Sequence, residues 1–334
     1  MRHLPALLPL LLGVSPLPAQ QPALPIQEWK VPWAESRPRD PAVAPDGRIW
    51  FVGQVGNYVA RLEPGSGHFE KFVIPEGTNP HNVIVDRAGN AWFAGNANGT
   101  IGRIDGKTGK LTSLPMPDPA AKDPHTLIQD RAGDIWFTVQ GGNFVGKLTA
   151  ASSKIALVRV PTPNARPYGI VLDRNDHPWF DLFGTNAIGT IDPASMALRL
   201  YPLPSPKSRP RRIAITSDGI IWFGDYTEGS IGRLDPKTGA VKAYLAPGGR
   251  GSLPYAMTSD GSDHLWIVET GTQPNRLVGF DPKTEKFLAP VAIPSGGGTV
   301  RYMVFDPKTN VIWFGTDANT IGRADLNRLT KPIS

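Results

Sequence analysis

Apolar residues in this chain come in short runs cut by clusters of Gly, Pro, Asn and Asp. That punctuation reads as strands and tight turns. One stretch shows the unit. Pro80-His81-Asn82-Val83-Ile84-Val85 predicts a strand, and Asp86-Arg87-Ala88-Gly89 a turn in which Gly supplies the awkward backbone angle. Ala91-Trp92-Phe93-Ala94 predicts a second strand and Thr100-Ile101-Gly102-Arg103-Ile104 a third. After the turn Asp105-Gly106-Lys107-Thr108-Gly109 comes an outer strand, Leu111-Thr112-Ser113-Leu114-Pro115. A proline there is tolerable because one edge of an outer strand is unpaired.

The unit repeats. Trp50, Trp92, Trp136, Trp179, Trp222, Trp266 and Trp313 follow one another at intervals of 42 to 47 residues. A repeat of that length built from strands is a propeller blade. The expected fold is therefore all-β, a seven-bladed β-propeller of four-stranded antiparallel blades. The recurring tryptophan reads as core, filling the wedge between neighbouring blades. The last repeat stops near Asp325 without an outer strand, and Ile26-Gln27-Glu28-Trp29-Lys30-Val31-Pro32 resembles the outer strands elsewhere. This N-terminal segment is expected to complete the last blade and close the ring, leaving no exposed edge.

Gly (36) and Pro (35) are each about a tenth of the 334 residues, which suits many turns, and 40% hydrophobic content is enough for a large core. Met1-Arg2-His3 followed by the apolar run Leu4 to Leu12 and by Leu17-Pro18-Ala19 reads as a signal peptide over residues 1–19. Residues 20–334 then form one domain, secreted or periplasmic. The apolar run is too short to span a bilayer. With no cysteine there is no disulfide, thiolate metal site or cysteine nucleophile. The net charge of +6 sits largely in turn lysines such as Lys107, Lys237 and Lys283, so it reads as a solvated surface. No nucleic-acid module is present in the sequence.

Topology places the chemistry. If the innermost strands start at the top face, that face also carries the loops after each Trp-Phe pair and the blade crossovers. The repetitive Asp-Pro-Lys-Thr-Gly turns lie at the bottom. The residues at the inner-strand starts run Ala42, His81, His125, Tyr168, Arg211, Tyr255 and Tyr302, with Arg166 and Arg209 just before two of them. A convergent polar ring at a channel mouth is the default binding site. Nearby arginines disfavour imidazolium, leaving neutral imidazoles competent as bases. His125 is expected as base with His81 assisting, and Tyr168, Arg211, Arg209, Tyr255, Tyr302 and Arg166 as substrate contacts.

The phrases Arg166-Pro167-Tyr168-Gly169-Ile170, Ile135-Trp136-Phe137-Thr138 and Ser230-Ile231-Gly232-Arg233-Leu234 resemble those of the streptogramin B lyase (virginiamycin B lyase) family, over roughly residues 26 to 325. The resemblance implies a carbon–oxygen lyase that opens a cyclic depsipeptide by elimination, with Mg²⁺ polarising the ester. That family carries histidines after the proline in its last two blades, with a glutamate two residues before the final one and another after that blade's tryptophan. Here blades 6 and 7 offer Tyr255, Val300 and Tyr302 instead. The nearest match is rotated round the ring to His81 and Asp123-Pro124-His125. The implied metal ligands are then Asp123, Gln140 and Glu269. The implied function is an exported lyase acting on a cyclic ester. The alternative is a non-catalytic propeller binding a small anionic or aromatic ligand, or a protein. A monomer with a small molecule at its mouth is expected.

Overall fold

The computed structural model describes residues 24–329, so the signal-peptide expectation falls outside the described residues. The described chain forms seven antiparallel sheets, and its only helical pieces are two short 3₁₀ turns, Gly249–Gly251 and Leu326–Arg328. Six blades run in chain order from inner to outer strand. Blade 3 is Pro124–Gln129, Ile135–Val139, Phe144–Thr149 and Lys154–Arg159. In blade 6 the outer position is split between Lys286–Phe287 and Val291–Ala292. Blade 7 takes its outer strand from the other end of the chain: Ile26–Lys30 pairs antiparallel with Thr320–Asp325, Ile26 opposite Ala324. The expected closure is present. Among the described residues no helix is long and apolar enough to cross a membrane.

The repeated phrase has a physical reading at each position. The tryptophan lies on the second strand, buried between blades. In four blades its indole N–H donates to the aspartate that opens the preceding turn: Asp86, Asp130, Asp173 and Asp260. In blade 5 the acceptor is Thr216. Blade 7 has Pro307 at that place, and the Trp313 N–H is left without a partner. The Gly of the Ile-Gly-Arg phrase is required because the phenylalanine ring lies on it: a Cβ on Gly232 would sit 2.0 Å from Phe223 Cζ. The basic residue that follows lies over the tryptophan face, Arg103 on Trp92 at 5.5 Å and Lys147 on Trp136 at 5.2 Å, a favourable cation–π contact.

The closing strand is held by side chains as well as by its ladder. Trp29 stacks on Trp313 with ring centroids 5.4 Å apart, and the Glu28 carboxylate accepts from the Ser295 backbone N–H and hydroxyl. Trp29→Ala is therefore expected to cost about 2–4 kcal/mol in chemical denaturation. The same truncation at Val73, 85% exposed on an outer strand, is expected to cost under about 0.5 kcal/mol.

Candidate functional site

The site is made by a repeated irregularity. In five blades the ladder between inner and second strands breaks register just after the strand begins: between Arg39 and Ala42, Pro124 and Leu127, Pro167 and Ile170, Pro210 and Arg212, and Pro254 and Met257. A β-bulge adds a residue and re-aims side chains. The residues inside these bulges include Asp40, His125, Thr126, Tyr168, Arg211 and Tyr255. The consequence is two consecutive tiers of polar groups at the axis where plain alternation would give one.

Blade 1 needs a correction. Its inner strand is Pro38–Val43, with Pro38 opposite Gly53 as Pro124 is opposite Val139. Pro38, and not Pro41, is the counterpart of the other inner-strand prolines. The ring residue of blade 1 is thus Arg39 rather than Ala42. The upper tier reads Arg39, His81, His125, Tyr168, Arg211, Tyr255 and Tyr302. The lower tier reads Asp40, Asn82, Thr126, Gly169 and Arg212. Sequence reasoning missed Arg39 and Arg212. Counting back a constant interval from each tryptophan would have found the first. Consecutive polar pairs in a strand (His81-Asn82, His125-Thr126, Arg211-Arg212) were the signal for the second.

Arg212 crosses the axis and is fully buried. Its Nη2 donates to Asp40 Oδ2 at 3.4 Å, its Nη1 to Thr126 Oγ1 at 3.0 Å and its Nε to the Arg301 carbonyl at 2.9 Å. Its guanidinium lies 4.9 Å from the ring centroids of both Tyr168 and Tyr302. Asp40 also accepts from Arg39 Nε at 3.1 Å and from Asn82 Nδ2 at 3.1 Å. Beneath this layer the channel holds a cavity of about 130 Å³ lined by Ile170, Ile213, Met257, Met303 and Val304. Gly169 is a requirement of packing, because a Cβ there would meet Asp181 Oδ2 at 2.5 Å.

The two histidines converge. Their ring centroids are 3.5 Å apart, and His125 lies 4.0 Å from the Tyr168 ring. Burial holds His81 well below the ordinary histidine value, with Arg39, His125 and Arg212 adding to it. Burial does the same to His125, helped by Arg212, Arg39 and Arg211. Both are neutral imidazoles at neutral pH. The Tyr168 and Tyr255 hydroxyls are in contact, and Arg211 Nη2 donates to Tyr255 at 3.0 Å. Burial pushes the Tyr168 phenol up, but Arg212, Arg211 and Arg39 outweigh it and bring it below its ordinary value. Burial and the neighbouring Tyr168 push Tyr255 the other way. Tyr302 is pushed up to about 12 by burial. Arg211 lies over Tyr255 at 3.7 Å, Tyr226 at 4.3 Å and Phe183 at 4.4 Å.

Two expected contacts stay outside this cluster. The Arg166 side chain is exposed on the rim, and Arg209 folds back onto its own loop, its Nη1 donating to the Ser208 and Pro206 carbonyls. The implied metal ligands are engaged elsewhere. Asp123 accepts from the Gly141 and Gly142 backbone N–H groups, tying down the loop that carries Gln140. Glu269 is buried, accepts from Gly248 N–H at 2.6 Å and pairs with Arg276. Among the described residues no group of three or more His, Asp or Glu is placed to hold a metal ion. Mg²⁺ wants oxygen ligands including one or two carboxylates. These carboxylates are already neutralised or capped, so the residues present do not fit it.

The charge balance is lopsided. Arg39, Arg211 and Arg212 face one carboxylate paired with guanidinium, Asp40. Asp181 does not count against them, because burial pushes its carboxyl well above the ordinary range despite Arg212 and Arg211. Its Oδ1 accepts from Gly169 N–H while Oδ2 has no partner, so one hydrogen bond is all that offsets the cost of a buried charge there. A raised folded value means that the native state holds a proton the unfolded chain releases. The stability is therefore present below the ordinary value of 3.8 and is lost as pH rises through the elevated one. Asp181→Asn, neutral at every pH, is expected to match the parent chain at pH 4 and to melt higher at pH 8. Thermal melts of the two proteins across that range check it.

The comparisons with known proteins agree with this geometry at the level of fold and family. A solved streptogramin B lyase superposes with a TM-score of 0.82 at 26% identity, covering 91% of this chain and 98% of that one. Virginiamycin B lyase from Staphylococcus aureus gives 0.82 at 25% identity, covering 91% and 99%. The extracellular domain of a putative hybrid two-component system from B. thetaiotaomicron, at 16% identity and a TM-score of 0.67, covers 91% of this chain and 43% of that one, a likeness of fold alone. No curated protein matches the chain. The profile of the Virginiamycin B lyase family matches residues 21–182 and 154–330, and the chain belongs to that family.

Proposed function

We propose that this protein is an exported lyase-like member of its family that opens a cyclic ester by elimination at the top of its channel. The observation that carries the reading is a pair of neutral imidazoles in close contact, tilted by 37°, among several guanidiniums. In such an elimination the imidazole takes a proton from the carbon next to a carbonyl. The C–H electrons form the C=C bond, the neighbouring C–O bond breaks, and the ester oxygen leaves as part of a carboxylate. The negative charge thus grows first beside the carbonyl and then on the leaving carboxylate. The guanidiniums of Arg211 and Arg39, which act electrostatically on the histidines, supply donors for it. Preorganised donors of this kind are commonly a large source of rate. No step is assigned to a cation. Export is supported by the basic start and the apolar run Leu4 to Leu12.

Incubation with cyclic depsipeptides and macrocyclic lactones, followed by mass spectrometry, tests the reading. Ring opening without gain of water, together with an unsaturated product, is the expected result. A product heavier by one water would mean hydrolysis and would sink it. His81→Gln combined with His125→Gln is expected to lower kcat by about 10²–10⁴-fold, and Arg211→Ala to raise KM and lower kcat together.

The surplus of guanidinium over carboxylate favours a second reading, capture of a small aromatic anion without turnover. Benzoate-type carboxylates that raise the melting temperature of the parent chain but not of Arg211→Ala, with no ester consumed, would select it.

A further inference from the structure

The two histidines are chemically unlike, and their hydrogen-bond partners say how. The Thr126 hydroxyl accepts from Arg212 Nη1 at 3.0 Å, and a guanidinium is always a donor. The hydroxyl's own hydrogen then has one polar neighbour left, His125 Nδ1 at 2.8 Å. A buried hydroxyl hydrogen left unpaired is costly, so Thr126 donates and His125 Nδ1 accepts. In a neutral imidazole the proton is then on Nε2, which is buried without a protein partner. His125 is the Nε2–H tautomer.

His81 has the opposite surroundings. Its Nδ1 is buried, makes no hydrogen bond and stands 3.9 Å from Asp40 Oδ2, its nearest charged partner. A lone pair turned to a carboxylate is repelled, and an N–H is attracted, so the proton belongs on Nδ1. The Nε2 lone pair is then free. It too lacks a protein partner among the described residues, but unlike Nδ1 it is not sealed from solvent. Asp40 is itself fixed by Arg39, Asn82 and Arg212.

We infer that His81 is the proton acceptor of the site, oriented by Asp40, and that His125 is its inner neighbour, locked as the Nε2–H tautomer by the relay from Arg212 through Thr126. This rests on the reading of the channel mouth as the ligand site, and it reverses the order in which the sequence ranked the two histidines. His81 Nε2 takes the substrate proton while Nδ1–H stays turned to Asp40, whose negative charge stabilises the imidazolium. His125 Nε2–H is closed off from solvent, so His125 backs His81 from within the protein. Asp40, Thr126 and Arg212 are positioning residues. The ligand class follows: a molecule with an acidic C–H beside a carbonyl, able to bring that carbon to His81 at the channel mouth.

The assignment is read directly from the tautomers. The chain contains six histidines, so ¹⁵N-histidine labelling with two-bond ¹H–¹⁵N correlation gives a short spectrum, assigned with H81Q and H125Q. The expected pattern is a protonated Nδ1 on His81 and a protonated Nε2 on His125. Thr126→Val keeps the side-chain shape and removes the relay, so the His125 pattern is expected to lose its single tautomer while His81 is unchanged. Asp40→Asn is expected to cost His81 its single tautomer. The same tautomer in both rings, the reverse pair, or a His125 pattern untouched by Thr126→Val would each overturn the assignment. None of these readings needs turnover. Should every ester be left intact while the tautomers come out as stated, the elimination reading fails and the tautomer assignment stands.

Discussion

One buried guanidinium sets the geometry of the channel mouth. Arg212 reaches from blade 5 to Asp40 of blade 1, Thr126 of blade 3 and the Arg301 carbonyl at the entry to blade 7. It lies between the rings of Tyr168 and Tyr302. Burying a charge is expensive unless it is paired and hydrogen-bonded. Arg212 meets that condition only if four blades hold their inner strands in the right relation. The orientation of Asp40 and Thr126, and through them of the two imidazoles, follows from the same contacts.

The bulges explain why a repeat fold has a single polar site. A regular inner strand would show the axis one residue in two, and the next residue would face the adjoining blade. Breaking register after the first residues lets His125 and Thr126, or Arg211 and Arg212, share the channel. At the opposite face the turns have no such freedom. Their aspartates are committed to the indole N–H of the tryptophan and to the backbone N–H groups of the turn, as with Asp86 and Asp130. That is why one face repeats and the other varies.

Much of this was legible in the sequence, because the periodic tryptophans and the orphan outer strand at the N-terminus mark positions where a repeat has no alternative packing. His81, His125, Tyr168, Arg211, Tyr255 and Tyr302 were found as a ring for the same reason. Arg39 was lost because blade 1 carries two prolines, Pro38 and Pro41, either of which reads as the strand start. Arg212 was lost because a bulge has no signature in hydrophobic alternation. The implied metal ligands were a matter of residue type: Glu269 is acidic at the right distance from a tryptophan, yet the Arg276 guanidinium and the Gly248 N–H already use its oxygens. Spacing shows which loop a carboxylate is on, and not what it has already bonded.

The dependence of the mouth on Arg212 and Asp40 is measured most directly by a double-mutant cycle in chemical denaturation, with Arg212→Met, Asp40→Asn and the combination. Asp40→Asn leaves the buried Arg212 and Arg39 without their carboxylate, for a predicted cost of about 3–5 kcal/mol. Arg212→Met leaves Asp40 still paired with Arg39 and hydrogen-bonded by Asn82, for a predicted cost of about 1–3 kcal/mol. The double variant should cost clearly less than their sum, giving a coupling of about 2 kcal/mol or more between residues 172 positions apart. Additive costs, with no coupling, would contradict it.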